Sequence, residues 1–127
     1  MQRDPELIRA LMLLLETASK RVTGHEPVPG YSADQVAYHL ALLLKDGYAE
    51  GPEPRYSSTG GDPTIPRGVM VDRLTTRGHD LIDTLRQDSV WQKVKGRLAS
   101  VGGGVSLEML SQLGAAVAKQ ALGLPAG

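Results

Sequence analysis

Three histidines are the side chains of this sequence best suited to metal binding or to proton transfer near neutral pH: His25, His39 and His79. No two of them stand four residues apart, the spacing that lets one helix present two imidazoles to a metal ion. The chain has no cysteine, so a metal ion would need ligands from three separate segments. We therefore expect no metal site and no cofactor.

Residues Ser57 to Asp62 have the sequence SSTGGD, which superficially resembles a phosphate-binding loop. No strand leads directly into this segment and no helix carrying a lysine follows it, so we interpret it as a flexible loop tip. The carboxylates Asp72, Asp80 and Asp83 fit surface positions and early helical turns better than a general acid–base pair. Because a serine nucleophile elbow and a nucleotide-binding fingerprint are also missing, we expect no catalytic residue and no enzymatic activity.

Positive charge gathers in two segments of the chain. Between residues 55 and 77, four arginines accompany two aspartates, and between residues 86 and 97, four basic residues accompany one aspartate. A DNA-binding interpretation places an arginine of the first segment in a minor groove and uses the second segment for phosphate contacts. The alternative for the second segment is an ordinary solvated helix face. The residues concerned are Arg55 and Arg67 in the first segment, and Lys93, Lys95 and Arg97 in the second.

Composition limits the class of protein. The 127 residues fit one domain, and their 14 basic and 14 acidic side chains balance, so no overall field attracts DNA or an anionic membrane. Phenylalanine is absent and there is one tryptophan, which predicts an aliphatic core. The longest apolar run, Leu11 to Leu15, is far too short to span a membrane, and the lack of cysteine fits a reducing compartment. We expect a small, soluble, cytoplasmic domain without membrane association.

Helices are the main elements available to position these side chains. Apolar residues at helical spacing predict a first helix over residues 4–20, with Asp4 as its N-cap. A third helix is predicted from a Thr75 cap to about Arg86, and the same spacing continues to Leu98, either in one helix or after a bend. The wide apolar face of the first helix predicts burial on two sides, between other helices or across a dimer interface.

The second helix has the clearest boundaries. It is predicted over residues 33–46, where Ser32 and Gln35 have the spacing of a capping box and Gly47 supplies a left-handed stop. The segment RVTGHEPVPGY that precedes it contains two glycines and two prolines, which exclude a helix of useful length. A short extended piece around Val28 is the expected structure there.

Two short strands are predicted to follow the second helix. Residues 48–50 form the first and residues 69–74 its antiparallel partner, because apolar and polar side chains alternate in the latter. Between them lie residues 51–68, called the wing below, with four glycines and four prolines. A loop of this length is usually functional or disordered.

The C-terminal part consists of a glycine hinge and one more helix. Three adjacent glycines follow Val101, Ser106 caps a helix over residues 106–122, and a stop of Schellman type follows at Gly123, Leu124 and Pro125. Leu110, Leu113 and Val117 form an apolar seam, which we expect to pack at a subunit boundary of a homodimer or on the first helix. We divide the chain into a core over residues 1–100 and a hinge with its helix over residues 101–127.

This order of elements is that of a winged-helix domain. The segment VAYHLALLLKDGYAEG resembles the recognition helix and first wing strand of winged-helix regulators, and LTTRGHDLIDTLR resembles the second wing strand with the helix after it. Together with RDPELIRALMLLLE and GGVSLEMLSQLG, these blocks resemble a family of small bacterial and prophage proteins, domain of unknown function 2513. The resemblance implies a mainly α, winged-helix-like fold with a small two-stranded antiparallel β wing, here with an extra C-terminal helix, and it implies no activity.

Two functions follow as expectations. The first is DNA binding by a prophage or bacterial transcriptional regulator, with the second helix in the major groove of double-stranded DNA. The second is a scaffold for protein–protein interaction or assembly, which fits the neutral charge and the acidic second helix, whose Asp34 and Asp46 outnumber its one lysine. Tyr38 and His39 either read bases or stack on a ligand, or else His39 packs against the wing. The candidate DNA contacts are Gln35, Tyr38, His39, Arg55, Arg67, Lys93, Lys95 and Arg97.

Overall fold

A computed structural model describes residues 1–102 and 104–123. This part of the chain is mainly helical and carries two small antiparallel two-stranded sheets, so the predicted fold class is confirmed. The elements in chain order are α1 (Pro5–Thr17), β1 (Val22–Thr23), α2 (Ala33–Lys45), β2 (Ala49–Glu50), β3 (Met70–Val71), β4 (Arg73–Leu74), α3 (Thr76–Leu85), α4 (Asp88–Ala99) and α5 (Leu107–Ala121).

Helix α1 begins as predicted and ends earlier. The Asp4 carboxylate accepts hydrogen bonds from the backbone N–H groups of Glu6 and Leu7, at 2.9 and 3.3 Å. The helix ends at Thr17 rather than Lys20, because the backbone is already extended at Ala18 to lead into β1. Its buried residues pack on both sides, against α2 and against α3 with β4, as the width of the apolar face predicts: Leu7, Ile8, Leu11, Met12 and Leu15.

The sequence signals predicted at the two ends of helix α2 are present in the structure. The Ser32 hydroxyl accepts from the Gln35 N–H, and the Gln35 side-chain oxygen accepts from the Ser32 N–H at 2.8 Å, which closes the capping box. At the other end Gly47 has φ +80°, a conformation that other residues rarely adopt. The Tyr48 N–H then reaches back to the Leu43 carbonyl at 2.9 Å and turns the chain into β2.

Residues 70–74 contribute one strand to each of the two sheets. β3 pairs with β1, placing Val22 opposite Val71, and β4 pairs with β2, placing Ala49 opposite Leu74. The predicted pairing of residues 48–50 with 69–74 is therefore confirmed for its second half. Val28 belongs to neither sheet, and the strand of this segment lies earlier, at β1.

The segment between β1 and α2 contains turns and no helix, as predicted. Its first residue, Gly24, donates its N–H to the Val69 carbonyl at 3.1 Å. A Cβ atom at this glycine would stand 2.9 Å from a Val69 methyl group and 3.3 Å from the Ala37 Cβ. The linker thus lies tightly between the strands and α2, in the place where winged-helix proteins have another helix.

Helix α5 packs within its own chain, on α3 and α4. Leu110 and Val117 are fully buried there, whereas Leu113 is only half-buried. The buried side of α5 includes Gly114 in place of Leu113. Leu110 and Val117 are covered by their own chain in this arrangement, and the assignment of the seam to a subunit boundary stays a prediction. The homodimer itself stays a prediction. Gly103 of the hinge, and Leu124 and Pro125 of the predicted stop, lie outside the described residues.

Candidate functional site

His39 is a structural residue rather than a base-reading one. Its side chain is fully buried, and its Nε2 atom accepts a hydrogen bond from the backbone N–H of Asp4 at 2.8 Å. The other ring nitrogen, Nδ1, lies 2.7 Å from the Gln35 carbonyl oxygen and therefore carries the proton. The imidazole joins α2 to the N-terminal cap of α1, so its prediction as a DNA contact is wrong.

The environment of His39 favours the neutral imidazole. Burial lowers the pKa of His39, and the Arg3 charge acts in the same direction. The Gln35 carbonyl and the Asp4 carboxylate oppose this shift with smaller effects. Protonation at Nε2 would also place a donor against the Asp4 N–H, which is itself a donor. The contact between α1 and α2 thus depends on the uncharged ring.

We expect the free energy of unfolding to fall as the pH drops below about 6.5, the ordinary pKa of histidine. Because the pKa of His39 is lowered in the folded state, the unfolded chain takes up a proton at a pH where the folded chain does not. The contribution of the neutral His39 ring to the free energy of unfolding is fully present above pH 6.5. It is lost as the pH falls from 6.5 towards the lowered pKa, by at most about 1.4 kcal/mol per pH unit. Urea unfolding at about pH 7.5 and 5.5 measures it.

The control for this prediction is the set of exposed histidines. His39→Gln removes the titrating group, so its stability should fall less between the two pH values than that of the parent chain. His25→Gln and His79→Gln change exposed side chains and should retain the parent's pH dependence. An unchanged dependence in His39→Gln would show that other groups cause the loss.

The outward face of α2 offers few polar groups that are free to read bases. Leu42 and Ala41 are buried, and the Gln35 side chain is held by the capping box. The exposed charges on this helix are Asp34 and Lys45, one of each sign. A helix that reads bases needs donors and acceptors free to reach the groove floor. Of the predicted contacts on α2, Gln35 and Tyr38 are both half-buried, and the Gln35 side chain is engaged in the capping box.

The wing is folded rather than a free loop. The Arg55 N–H donates to the Gly68 carbonyl at 2.8 Å, and the Arg67 N–H donates to the Arg55 carbonyl at 2.7 Å. Nearer the tip, the Thr64 hydroxyl and N–H both donate to the Asp62 carboxylate, which lowers the pKa of Asp62. The wing therefore has its own hydrogen-bonded framework.

The two wing arginines are exposed, as predicted. The Arg67 guanidinium donates to the Gly60 carbonyl at 3.2 Å, and the Arg55 guanidinium lies against Gly68. In the described residues, neither has a carboxylate within ion-pair distance. Both also line a cleft of about 500 Å³, together with His25.

The basic residues of α4 do not form one surface. Lys95 makes an ion pair with Glu6 of α1 at 2.7 Å and lies near the Trp91 ring. Arg97 donates to the Gln120 side chain of α5 at 2.6 Å. Lys93 is exposed. Lys93 and Arg97 stand four residues apart and share one face of α4, whereas Lys95, two residues from each, lies on another side of the helix.

A groove between α2 and the wing was not predicted from the sequence. It has a volume of about 880 Å³. The side chains that give it its chemical character are Tyr38 on α2, Tyr56 on the wing and the wing prolines Pro52, Pro54 and Pro63. The sequence signal that could have revealed it is a tyrosine among the prolines of the wing, which follows a helix that carries another tyrosine.

The described residues contain no group of three histidine, aspartate or glutamate side chains placed to hold a metal ion. None of the helices in the described part of the chain combines the length and the hydropathy needed to cross a membrane. The groove, at about 880 Å³, is larger than the cleft of about 500 Å³ that Arg55 and Arg67 line.

Comparison with known proteins gives a family without an assigned activity. A family model described as "Hypothetical protein (DUF2513)" matches residues 2–105, which span α1 to α4. A Haemophilus influenzae protein described as "Uncharacterized protein" is 32% identical over 124 residues, covering 96% of this chain and 99% of the relative. No solved structure matches the chain significantly. The chain belongs to the DUF2513 family, as its sequence blocks indicate.

Proposed function

We propose that this chain is a binding module that holds a segment of another protein in the groove between α2 and the wing. The observation that carries the proposal is the position of the two tyrosines: Tyr38 and Tyr56 face one groove from α2 and from the wing. Tyrosine supplies apolar contact area with a polar tip and is enriched in the buried centres of protein interfaces. Tyr56 is 51% exposed, although large apolar side chains are normally buried.

The distribution of charge supports a protein partner over DNA. Arg9, Arg21, Arg73, Arg86 and Lys95 all make ion pairs with carboxylates of the same chain. Phosphate neutralisation by free cations supplies most of the affinity of a non-specific DNA complex. A chain with no net charge, in which these five of the 14 cations are paired internally, starts with less of this affinity.

DNA binding is the second candidate, and one observation favours it. Arg55 and Arg67 project from the wing without a carboxylate partner in the described residues. Arginines carried on a projecting arm can enter a minor groove. In this alternative the wing would carry the interaction and α2 would contribute little.

One pair of measurements on the purified chain separates the two candidates. We expect a random dodecapeptide library to yield an enriched sequence pattern, which Tyr56→Ala abolishes. Met109→Ala on α5 is the matched control, because Met109 is 47% exposed and lies outside the groove. We also expect no measurable binding of random duplex DNA at about 0.1 M salt, measured by fluorescence anisotropy.

The DNA candidate makes the opposite prediction. The affinity for duplex DNA would fall with salt, and the double change Arg55→Ala with Arg67→Ala would reduce the slope of log K against log salt by about 2. That result, together with a library that yields no pattern, would replace the proposed function by the second candidate.

A further inference from the structure

We propose that His39 is an acid-sensitive latch for residues 1–4, the segment before α1. The neutral ring holds this segment against α2, and protonation of the ring releases the segment while the helices stay folded. Two observations carry the inference: both ring nitrogens are hydrogen-bonded to backbone groups, and one of these groups belongs to the segment that would move. The inference does not depend on the proposed function.

The segment is joined to α2 through Asp4. Residues 1–3 are exposed and Asp4 is half-buried. The Asp4 N–H donates to Nε2 of His39 at 2.8 Å, and the His39 side chain is fully buried. Helix α1 itself is anchored further along, by the fully buried side chains of Leu7 and Ile8. Loss of the hydrogen bond at Asp4 would therefore free residues 1–4 and leave α1 packed in the core.

Protonation reverses the role of Nε2. The other ring nitrogen already carries a proton and donates to the Gln35 carbonyl, so a second proton turns Nε2 into a donor that faces the Asp4 N–H. Two donors cannot share a hydrogen bond. The charged ring instead attracts the Asp4 carboxylate, which in the neutral state accepts the N–H groups of Glu6 and Leu7. Both changes loosen the N-terminal cap of α1.

The titratable groups around the latch leave the charge change to the imidazole. Burial has the largest effect on the pKa of His39 and lowers it; the Arg3 charge also lowers this pKa, while the Asp4 carboxylate raises it. Tyr31, from the linker before α2, faces Asp4. Burial raises the pKa of Tyr31, and the carboxylates of Asp4 and Glu6 act in the same direction. Tyr31 therefore stays neutral in mild acid.

Release is expected to begin below about pH 6.5, the ordinary pKa of a histidine that has left its buried contact. The pKa of His39 in the latched state is lower, so the released state takes up a proton at a pH where the latched state does not. The ratio of released to latched chains should rise by up to about tenfold between about pH 6.5 and 5.5.

The latch lies beside the groove between α2 and the wing. Arg3 lines this groove from the segment before α1, and Tyr38 lines it from α2. The Tyr38 ring packs edge-on against the His39 ring, with 5.3 Å between centroids and 73° between planes. Release would take Arg3 away from the groove and place a charge next to Tyr38, so the groove would have a different wall in mild acid.

The test is amide exchange of the full chain, measured by NMR and corrected for the exchange rate of an unstructured peptide at the same pH. We expect the protection of the Asp4 N–H to fall about tenfold between about pH 7.5 and 5.5. The Met109 N–H is the control from another helix cap; it donates to the Ser106 hydroxyl at 3.0 Å, and its protection should not change. The N–H of Ile82, a fully buried residue of α3, reports unfolding of the whole chain and should stay better protected than that of Asp4.

Three variants separate the latch from a general effect of acid. His39→Gln has no titrating ring, so the protection of the Asp4 N–H should be equal at the two pH values, whether or not the glutamine oxygen replaces Nε2. Arg3→Gln removes a charge that lowers the pKa of His39, so the ring should titrate at a higher pH, as followed by NMR of its hydrogens. His25→Gln changes an exposed side chain and should behave like the parent.

The inference is wrong if the Asp4 and Ile82 amides have equal protection and lose it together, because the segment would then leave only when the whole chain unfolds. It is also wrong if the protection of Asp4 does not depend on pH in the parent, or if His39→Gln keeps the parent's dependence. A peptide library that yields no pattern would remove the proposed function and leave these results unaffected.

Discussion

Gly78→Ala is expected to lower the free energy of unfolding by about 3 kcal/mol, the effect of forcing an extra group into a closed contact. A Cβ atom at Gly78 would overlap the Tyr48 carbonyl oxygen. That carbonyl is itself fixed, because it accepts the N–H of Thr75, the N-cap of α3, at 3.1 Å. Neither backbone can move without breaking the helix cap or displacing β2, so the strain cannot be relieved by a side-chain rotation. Urea unfolding at neutral pH gives the measurement.

The control is the same substitution at a helical glycine with space around it. No heavy atom lies within 4 Å of a Cβ built at Gly96 in α4. Gly96→Ala should therefore raise the free energy of unfolding by about 0.5–1 kcal/mol, the ordinary gain of alanine over glycine within a helix. The two changes are chemically identical and should have opposite signs. A stabilising Gly78→Ala would show that the α3 and β2 backbones are not in this contact.

The Gly78 contact also matters for the groove. Tyr48 directly precedes β2, and β2 leads into Pro52 and the rest of the wing. A displacement at Tyr48 would therefore move one side of the groove relative to α2. In a Gly78→Ala chain that remains folded, weaker binding of the peptide enriched from the library is the expected secondary effect.

Local structure could be predicted where its causes lie close together in the sequence. The capping box of Ser32 and Gln35 and the left-handed Gly47 determine both ends of α2 within a few residues, and each is present in the structure. The Thr75 and Ser106 caps are likewise confirmed, since each hydroxyl accepts a backbone N–H three residues ahead. Helices with such signals form wherever the rest of the chain permits.

The sharing of one strand segment between two sheets could not be predicted from local pattern. Alternation in residues 69–74 indicates a strand but does not say which partner each half has. The division at Asp72 depends on β1, which lies about fifty residues earlier and is only two residues long. Asp72 itself pairs with Arg21 next to β1, while its N–H donates to the Glu50 carbonyl at 2.9 Å. Both partners are distant in sequence.

His39 shows the same limit within the candidate site. Its neighbours along α2 give no sign that the Asp4 N–H, thirty-five residues away, will need an acceptor. A histidine beside a tyrosine, on a helix that resembles a recognition helix, therefore predicts a base contact. In the structure both ring nitrogens are instead hydrogen-bonded to backbone groups of the same chain. The groove was missed for a related reason: its second wall is the wing, in which Arg55 pairs with Gly68, thirteen residues further along the chain.

The last prediction concerns how α5 is held. Leu110→Ala should lower the free energy of unfolding by about 3 kcal/mol, because it leaves a cavity under a fully buried side chain. For a chain of this length, that corresponds to a melting temperature lower by about 10 °C. Leu113→Ala is the matched control on the same helix. Leu113 is only half-buried, so we expect a loss of about 1 kcal/mol.

Light scattering on the same two variants tests whether α5 packs within its own chain. Because Leu110 lies between α5 and the α3–α4 pair of one chain, Leu110→Ala should leave the molecular mass unchanged while it lowers the melting temperature. The melting temperature of the parent should also be independent of protein concentration, since no subunit needs to associate for α5 to dock. A Leu110→Ala chain that halves its mass, in a parent whose melting depends on concentration, would mean that α5 makes these contacts with a second copy. The seam would then be the subunit boundary that the sequence alone suggests.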